Sequence, residues 1–217
     1  MVQIKEETKS LSELAYERIE ERIVTLQLAP GSFFSEAELS AQLGIGRTPV
    51  REALQRLVAD GLVKTMPRRG MMVSEINIAD QMDLLETRRA LERIIVTRAA
   101  RRATPPQQAT LQEYANAIQD AAEREDLEEF MRFDHKFDRL VESASGNSFA
   151  VKANAPFHAH CRRFWYYYHL NGDLRRSADL HAAIMRAIAD KDETAAARAS
   201  DAFMDYLEEF TRDVLNR

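Results

Sequence analysis

One cysteine, Cys161, is all that the chain offers for disulfide or thiolate chemistry. A lone cysteine closes no internal disulfide, so a disulfide scaffold is excluded and a reducing compartment is expected. Glycine and proline are scarce, seven and six in 217 residues. Ala, Leu, Glu and Arg are abundant instead, which favours helices over a sheet protein. No stretch approaches the roughly 20 apolar residues that a membrane helix needs. The N-terminal "MVQIKEETKSLSEL" has no apolar run and no signal-peptide pattern. A cytoplasmic protein with no membrane partner is expected, long enough for one large domain or two small ones.

The net charge of −5 argues against a protein that coats nucleic acid indiscriminately, but the charge is unevenly spread. From Gly44 to Ser74 there are six Lys/Arg (Arg47, Arg51, Arg56, Lys64, Arg68, Arg69) against two acids, Glu52 and Asp60. From Ile76 onward acids outnumber bases, 24 to 20. One basic patch on an acidic chain points to a single site for a polyanion.

Helical periodicity begins at "SLSELAYERIEERIVTLQL", with Ser10 and Glu13 at capping-box spacing and Leu14, Ile19, Ile23 and Leu26 as its stripe. "APGS" stops it. "SEAELSAQLG" predicts a short helix with a second capping box, Ser35 and Glu38, ended by Gly44. In "GIGRTPVREALQRLVADGLV", Thr48 suits an N-cap and Pro49 the first helical position, where a missing N–H costs nothing. Val50, Ala53, Leu54, Leu57 and Val58 form the buried face, and Gly61 ends the helix. "LVKTMPRRGMMVSEI" predicts a two-stranded hairpin turning at Pro67–Gly70. Helix, helix, tight turn, helix and hairpin make a winged helix-turn-helix over residues 1–75.

Residues 76–217 read as an all-α antiparallel bundle, so the fold class is mainly α. Helices are expected at about 78–103, 107–124, 126–145, 148–170, 174–190 and 193–215. Breaks fall at "TPP", "ERED", "SGNS", "NGD" and "DKDE", and Pro156 should kink or interrupt the fourth helix.

Arg47 and Arg51 are four apart, on the side of their helix opposite Val50, Leu54 and Leu57. The helix N-terminus adds partial positive charge and free N–H groups at the same spot. A guanidinium fork matches guanine O6/N7 or a phosphate. The expected partner of these arginines is therefore external, double-stranded operator DNA, which leaves them unpaired within the chain. Gln55 lies one turn on and can reach a base or sugar edge, and Arg68, Arg69 and Gly70 suit phosphate or minor-groove contact. Surface charge on a helical hairpin used for protein contacts is the alternative.

In the bundle, Asp134 and Asp138 are four apart and His181 follows on a later helix. Inward-facing Asp and His on different helices hold a divalent metal in some bundles, with Zn, Ni or Mn the candidates here. The alternatives are a solvated Asp face partnered by Arg132, Lys136 and Arg139, and a hydrogen-bonded core histidine. "PFHAHCRRFWYYYHL" sets His158 three residues from Cys161 and four from Arg162. Arg162 or Arg163 can bind a carboxylate bidentately, so this face is a candidate lining for a small organic-acid effector. Phe164 to Tyr168 read equally as a core stripe or a dimer surface. His158 and Cys161 lack the second ligand pair of a zinc site and the Gly-rich oxyanion turn of a nucleophile pair. Arg88 and Glu92 form an i,i+4 pair.

The stretches "LSAQLGIGRTPVREALQRLVADGLV" and "PRRGMMV" resemble the winged-helix half of the GntR family of bacterial transcription regulators. "TRRALE", "FDHKFDRLVESASGN" and "DLHAAIMRAI" resemble the FadR-type branch and its FCD ligand-binding domain. The resemblance implies that Arg47, Thr48 and Arg51 contact DNA, that Arg68 to Gly70 form the wing, and that Arg88 points into a ligand cavity. It also implies a homodimer on a palindromic operator, usually as a ligand-relieved repressor. Gly46 stands where many members carry Ser. FCD domains often hold a metal through one Asp, a His four residues later and two further His. Asp134 and His181 keep two of those places, Asp138 takes that of the early His, and Phe203 takes that of the last, so a metal-free pocket stands beside the metal. A metal-dependent bundle enzyme with an appended interaction module is the alternative from another class.

Overall fold

The computed structural model describes residues 9–169 and 173–216. Most of the N-terminal stretch, Leu170 at the end of the fourth expected bundle helix, and Asn171 and Gly172 of the "NGD" break thus lie outside the described residues. The chain divides into two compact units, Met1–Ile76 and Asn77–Arg217.

The first unit runs α1 (Leu11–Val24), β1 (Phe33–Phe34), α2 (Glu36–Leu43), α3 (Arg47–Ala59), β2 (Val63–Met66) and β3 (Gly70–Val73). Its core is the meeting of two helical stripes. Ala15, Ile19 and Ile23 of α1 and Val50, Ala53, Leu54 and Leu57 of α3 are all but fully buried, closed by Leu39, Leu62, Val63 and Val73. Burying each such Leu or Ile contributes roughly 1.5–3 kcal/mol, which anchors α3 by one flank. Ser35 and Glu38 form the expected capping box, and Gly44 ends α2 at φ 65°. Polar ties hold α1 to α3 at the rim: Tyr16 donates to Asp60 at 2.8 Å, and Arg56 pairs with Glu13 at 2.7 Å.

The sheet is three-stranded rather than a two-stranded hairpin, in antiparallel order β1-β3-β2. β1 pairs Phe33 with Met72 and Phe34 with Met71. Two residues carry no alternation, so this strand exists only because the free edge of β3 lies beside it.

The second unit is a bundle of α4 (Ile78–Arg102), α5 (Pro105–Glu123), α6 (Leu127–Ser145), α7 (Ser148–Tyr168), α8 (Leu174–Ala189) and α9 (Glu193–Leu215). Asn77, Asp126, Asn147, Asp173 and Asp192 each accept from a backbone N–H of the following turn. At the start of α5, Gln107 Oε1 accepts from the Thr104 N–H and from its hydroxyl, both at 3.0 Å. α7 continues through Pro156 rather than breaking there. The breaks at "ERED" and "DKDE" turn on Glu125 and Lys191, non-glycine residues with φ of 57° and 59°.

Candidate nucleic-acid interface and buried polar cavity

The structure moves the start of α3. Its N-cap is Gly46, which offers no side-chain cap, and Arg47 is the first helical residue. Thr48 and Pro49 are therefore the second and third helical residues rather than N-cap and first. Pro49 still costs no hydrogen bond, because the first backbone N–H to bond within the helix is that of Val50, which donates to Gly46 O at 3.3 Å. Without a capping side chain, the open N–H groups of this end face outward beside exposed Arg47 and Thr48.

Arg47, Thr48, Arg51 and Gln55 are all exposed on one flank of α3. Arg51 is not unpaired. Its Nε and Nη2 both lie 3.0 Å from Glu36 Oε2, on the first turn of α2. More than half of the Arg51 side chain stays open to solvent, at 58% exposure. Sequence spacing carried no sign of Glu36, fifteen residues earlier. Arg56 also leaves the patch, because its guanidinium lies on Glu13 and 4.1 Å over the Tyr16 ring.

At the hairpin tip Arg68, Arg69 and Gly70 are exposed. Arg68 holds a left-handed φ of 63°, and Arg69 N closes the turn on Met66 O at 3.1 Å. Gly70 has φ 87°, and a Cβ there would stand 3.0 Å from the Phe34 carbonyl oxygen. The β1 strand thus crowds the one position where the wing needs glycine. Arg69 sits 6.0 Å from the centroid of the half-exposed Phe33 ring.

Inside the bundle, Arg88, Asp134, Asp138, His158, Arg162 and His181 line one cavity with Phe130, Met131, Cys161, Trp165, Ser177, Phe203 and Leu207. The six polar residues singled out in the sequence thus converge. The void measures about 30 Å³, room for a water or two. Of its lining residues only Met131 and Arg162 are partly exposed, so they form its mouth.

Two ion-pair groups organise the cavity. His181 donates Nδ1–H to the Ser177 carbonyl at 2.7 Å, and its Nε2 lies 2.8 Å from Asp134 Oδ1. A carboxylate only accepts, so both ring nitrogens donate and the ring is an imidazolium. Burial opposes the charge on His181, but the Asp134 hydrogen bond and charge raise its pKa above the ordinary value. Burial likewise opposes ionisation of Asp134, and His181 overrides it, holding that carboxyl at about 2.

The other group centres on His158. Its Nδ1 lies 2.6 Å from Asp138 Oδ2, close but off the line of a hydrogen bond, so this is a charge contact. Its Nε2 lies 3.0 Å from Glu92 Oε2, to which Asn154 also donates at 3.0 Å. Burial lowers the His158 pKa, but Asp138 and Glu92 outweigh it and bring the group up to about 10. Arg88 Nε pairs with Glu92 at 3.2 Å, as the i,i+4 spacing expected. Arg162 Nη1 reaches Asp138 Oδ2 at 3.0 Å. The neighbouring Glu142 is raised by burial to about 7. Asn154 and Ser177 escaped the sequence reading, although Asn154 sits one turn before His158 on a face with Ala150 and Cys161.

The donor set does not fit a divalent metal. Among the described residues no group of three or more His, Cys, Asp and Glu is placed to hold one. Asp134 is closed on His181, while Asp138 faces His158 and Arg162. The Phe203 ring, 4.3 Å from that of His181, supplies no lone pair. Two guanidiniums share the cavity, and their charge opposes a cation there. Arg132 pairs with Glu129, not with the aspartates. Phe164 and Trp165 are core, with Trp165 stacked on Phe130 at 5.4 Å, whereas Tyr167 is half-exposed.

Residues 83–206 match the model of the FCD domain, and residues 11–73 that of bacterial regulatory proteins, gntR family. The chain is 32% identical over 134 residues to the HTH-type transcriptional repressor RspR of Escherichia coli (strain K12), covering 62% of this chain and 59% of that protein. The matched stretch therefore spans less than two thirds of that relative. It is 36% identical over 126 residues to an HTH-type transcriptional regulator of Agrobacterium vitis from the TAR-I ttuE-ttuC' intergenic region, covering 57% and 74%. Among solved structures, E. coli McbR/YncC aligns at TM-score 0.83 and 22% identity over 96% of this chain and 100% of that one, a likeness of fold. Among the described residues no helix is long and apolar enough to cross a membrane.

Proposed function

The chain belongs to the gntR family of bacterial regulatory proteins and carries an FCD domain, and from that premise we propose that it is an effector-responsive transcriptional regulator acting on double-stranded operator DNA in the cytoplasm. The observation that carries the reading is the α3 flank. Its oily side is buried on α1, while Arg47, Thr48, Arg51 and Gln55 stand exposed beside an uncapped helix end. That is the arrangement of a helix that enters a major groove N-terminus first. Arg47 and Arg51 read guanine or phosphate, Gln55 a base or sugar edge, and Arg68, Arg69 and Gly70 meet the backbone or minor groove as a wing.

The active species is a homodimer on a palindromic operator, with half-sites about one helical turn apart. A small organic acid binds at Arg88, Asp134, Asp138, His158, Arg162 and His181, and its preference for one arrangement of the bundle changes operator affinity. The direction of control is repression, as the name of the Escherichia coli relative, a transcriptional repressor, suggests. The metal-dependent enzyme reading is set aside, because the relatives are transcriptional regulators and the carboxylates are committed to cations.

The test is a fluorescence-anisotropy titration of the full chain on its own promoter duplex and on an unrelated duplex of equal length, across salt. Expected is tighter binding to the promoter, with affinity falling by orders of magnitude between about 50 and 200 mM salt. Equal affinity for both duplexes, or turnover lost on chelation, would overturn the reading.

A further inference from the structure

We propose that this chain binds a small carboxylate in its bundle cavity without any metal ion, the guanidinium of Arg88 taking the place that a divalent cation holds in related domains. The inference rests on the effector-cavity reading above and adds the chemistry of recognition to it.

Every carboxylate at the cavity already has a cation. Glu92 lies against Arg88 and His158, Asp138 against His158 and Arg162, and Asp134 against His181. A metal entering here would have to displace a directed contact and then stand beside two guanidiniums. An anion meets the opposite situation. Arg88 is 6% exposed, and its one hydrogen bond to a carboxylate is made by Nε. Its guanidinium carbon stands 5.7 Å from the Phe203 ring centroid. The two Nη groups make no hydrogen bond to a carboxylate among the described residues. The Arg88 side chain also hydrogen-bonds the Cys161 thiol, a weak acceptor that a carboxylate oxygen replaces readily, and a buried guanidinium beside an aromatic wall accepts a planar, two-oxygen anion edge-on. The void of about 30 Å³ admits one carboxylate group. The remainder of a larger acid leaves through the mouth, where the flexible Met131 side chain yields and Arg162 adds a second cation. Phe203 is then the wall against which the anion is held, rather than a lost metal ligand.

The test uses the full chain stripped with EDTA and checked by elemental analysis. Thermal melts and calorimetric titrations are run with sodium acetate, pyruvate and succinate against chloride at matched ionic strength, and separately with Zn²⁺, Ni²⁺ and Mn²⁺ alone. Expected is a rise in melting temperature and saturable binding with at least one carboxylate, unchanged by EDTA. No metal should bind stoichiometrically.

In Arg88→Lys, which keeps the charge beside Glu92, carboxylate affinity should fall at least tenfold while promoter affinity is unchanged. Arg88→Met should abolish carboxylate binding; if it does not fold, the lysine variant still decides. Binding that appears only after metal loading, a stoichiometric metal, or an Arg88→Lys protein with wild-type carboxylate affinity overturns the inference. So does a stripped protein that binds its promoter selectively and none of the three carboxylates. That last outcome leaves the regulator reading standing, whereas failure to select the promoter removes the regulator reading and says nothing for a metal.

Discussion

Arg51 reaches from the first turns of α3 to Glu36 at the start of α2, with Nε and Nη2 both 3.0 Å from one carboxylate oxygen. An exposed pair of this kind contributes at most about 1 kcal/mol. The fork can therefore exchange Glu36 for a base edge or phosphate, and until it does the contact keeps the guanidinium aimed along the exposed flank.

Arg51→Ala is expected to lose operator recognition, by at least about 1–3 kcal/mol for one bidentate contact, with the far-UV spectrum and melting point unchanged. Glu36→Gln removes a negative charge from the same surface. It should tighten binding to unrelated duplex while narrowing the ratio of operator to unrelated affinity. Anisotropy titrations on both duplexes measure these effects, and a ratio that Glu36→Gln leaves alone would deny Glu36 any part in aiming Arg51.

Arg47 is exposed and makes no ion pair among the described residues. If it neutralises a phosphate, Arg47→Ala weakens all duplexes alike and lowers the slope of log K against log salt by about 1. A sequence-selective loss instead would reassign Arg47 to a base.

Gly70→Ala should destabilise the winged unit by roughly 1–3 kcal/mol, the usual cost of a side chain forced into such backbone. The cause is φ 87° together with the Phe34 oxygen 3.0 Å from the new Cβ. Urea unfolding gives the value, and a change within experimental error would mean that β1 moves aside.

Removing either member of the Asp134–His181 pair leaves a buried group without its partner, which costs about 3–5 kcal/mol. Asp134→Ala and His181→Ala should each destabilise strongly, and the double variant by less than their sum, with a coupling of about 0.5–3 kcal/mol. Both should keep operator affinity at low temperature and lose the effector response. Strict additivity would show that the 2.8 Å contact carries no mutual energy.

His158 is raised from 6.5 to about 10, so the folded state holds its proton more firmly than the unfolded chain. The sign follows: stability from this group is fully present below about pH 6.5 and is lost as pH rises through about 10. Urea melts at pH 6, 8 and 10 should show falling stability in this window. His158→Gln, less stable at pH 6, should show a flatter curve; an equally steep one would place the titration elsewhere.

Much of the molecule could be read without a fold. Caps and breakers are local chemistry, so Ser35 with Glu38, Gly44, and the Asx residues before α6 to α9 mark helix ends to within a residue or two. The exposure of the α3 arginines does not follow from period alone: Arg47 is seven residues and Arg51 three from buried Leu54, so both border the oily face, and they stay exposed because they lie at the open start of the helix. The convergence of six polar side chains on one cavity was legible from their places on helical faces and from the family resemblance.

Three features depended on contacts between distant segments. Glu36 meets Arg51 only because α2 and α3 pack start to start. β1, two residues long, has no period of its own and is defined by the edge of β3. Within the cavity, nothing in the spacing of Asp134, Asp138, His158 and His181 tells which carboxylate faces which ring. Packing of α6 against α7 and α8 decided it, giving Asp134 to His181 and Asp138 to His158 and Arg162. Periodicity specifies the face of a helix on which a charge lies. The partner across the interface is set by the relative depth and rotation of two helices, which only the assembled bundle determines, because burying these charges is tolerable only when each meets an opposite one.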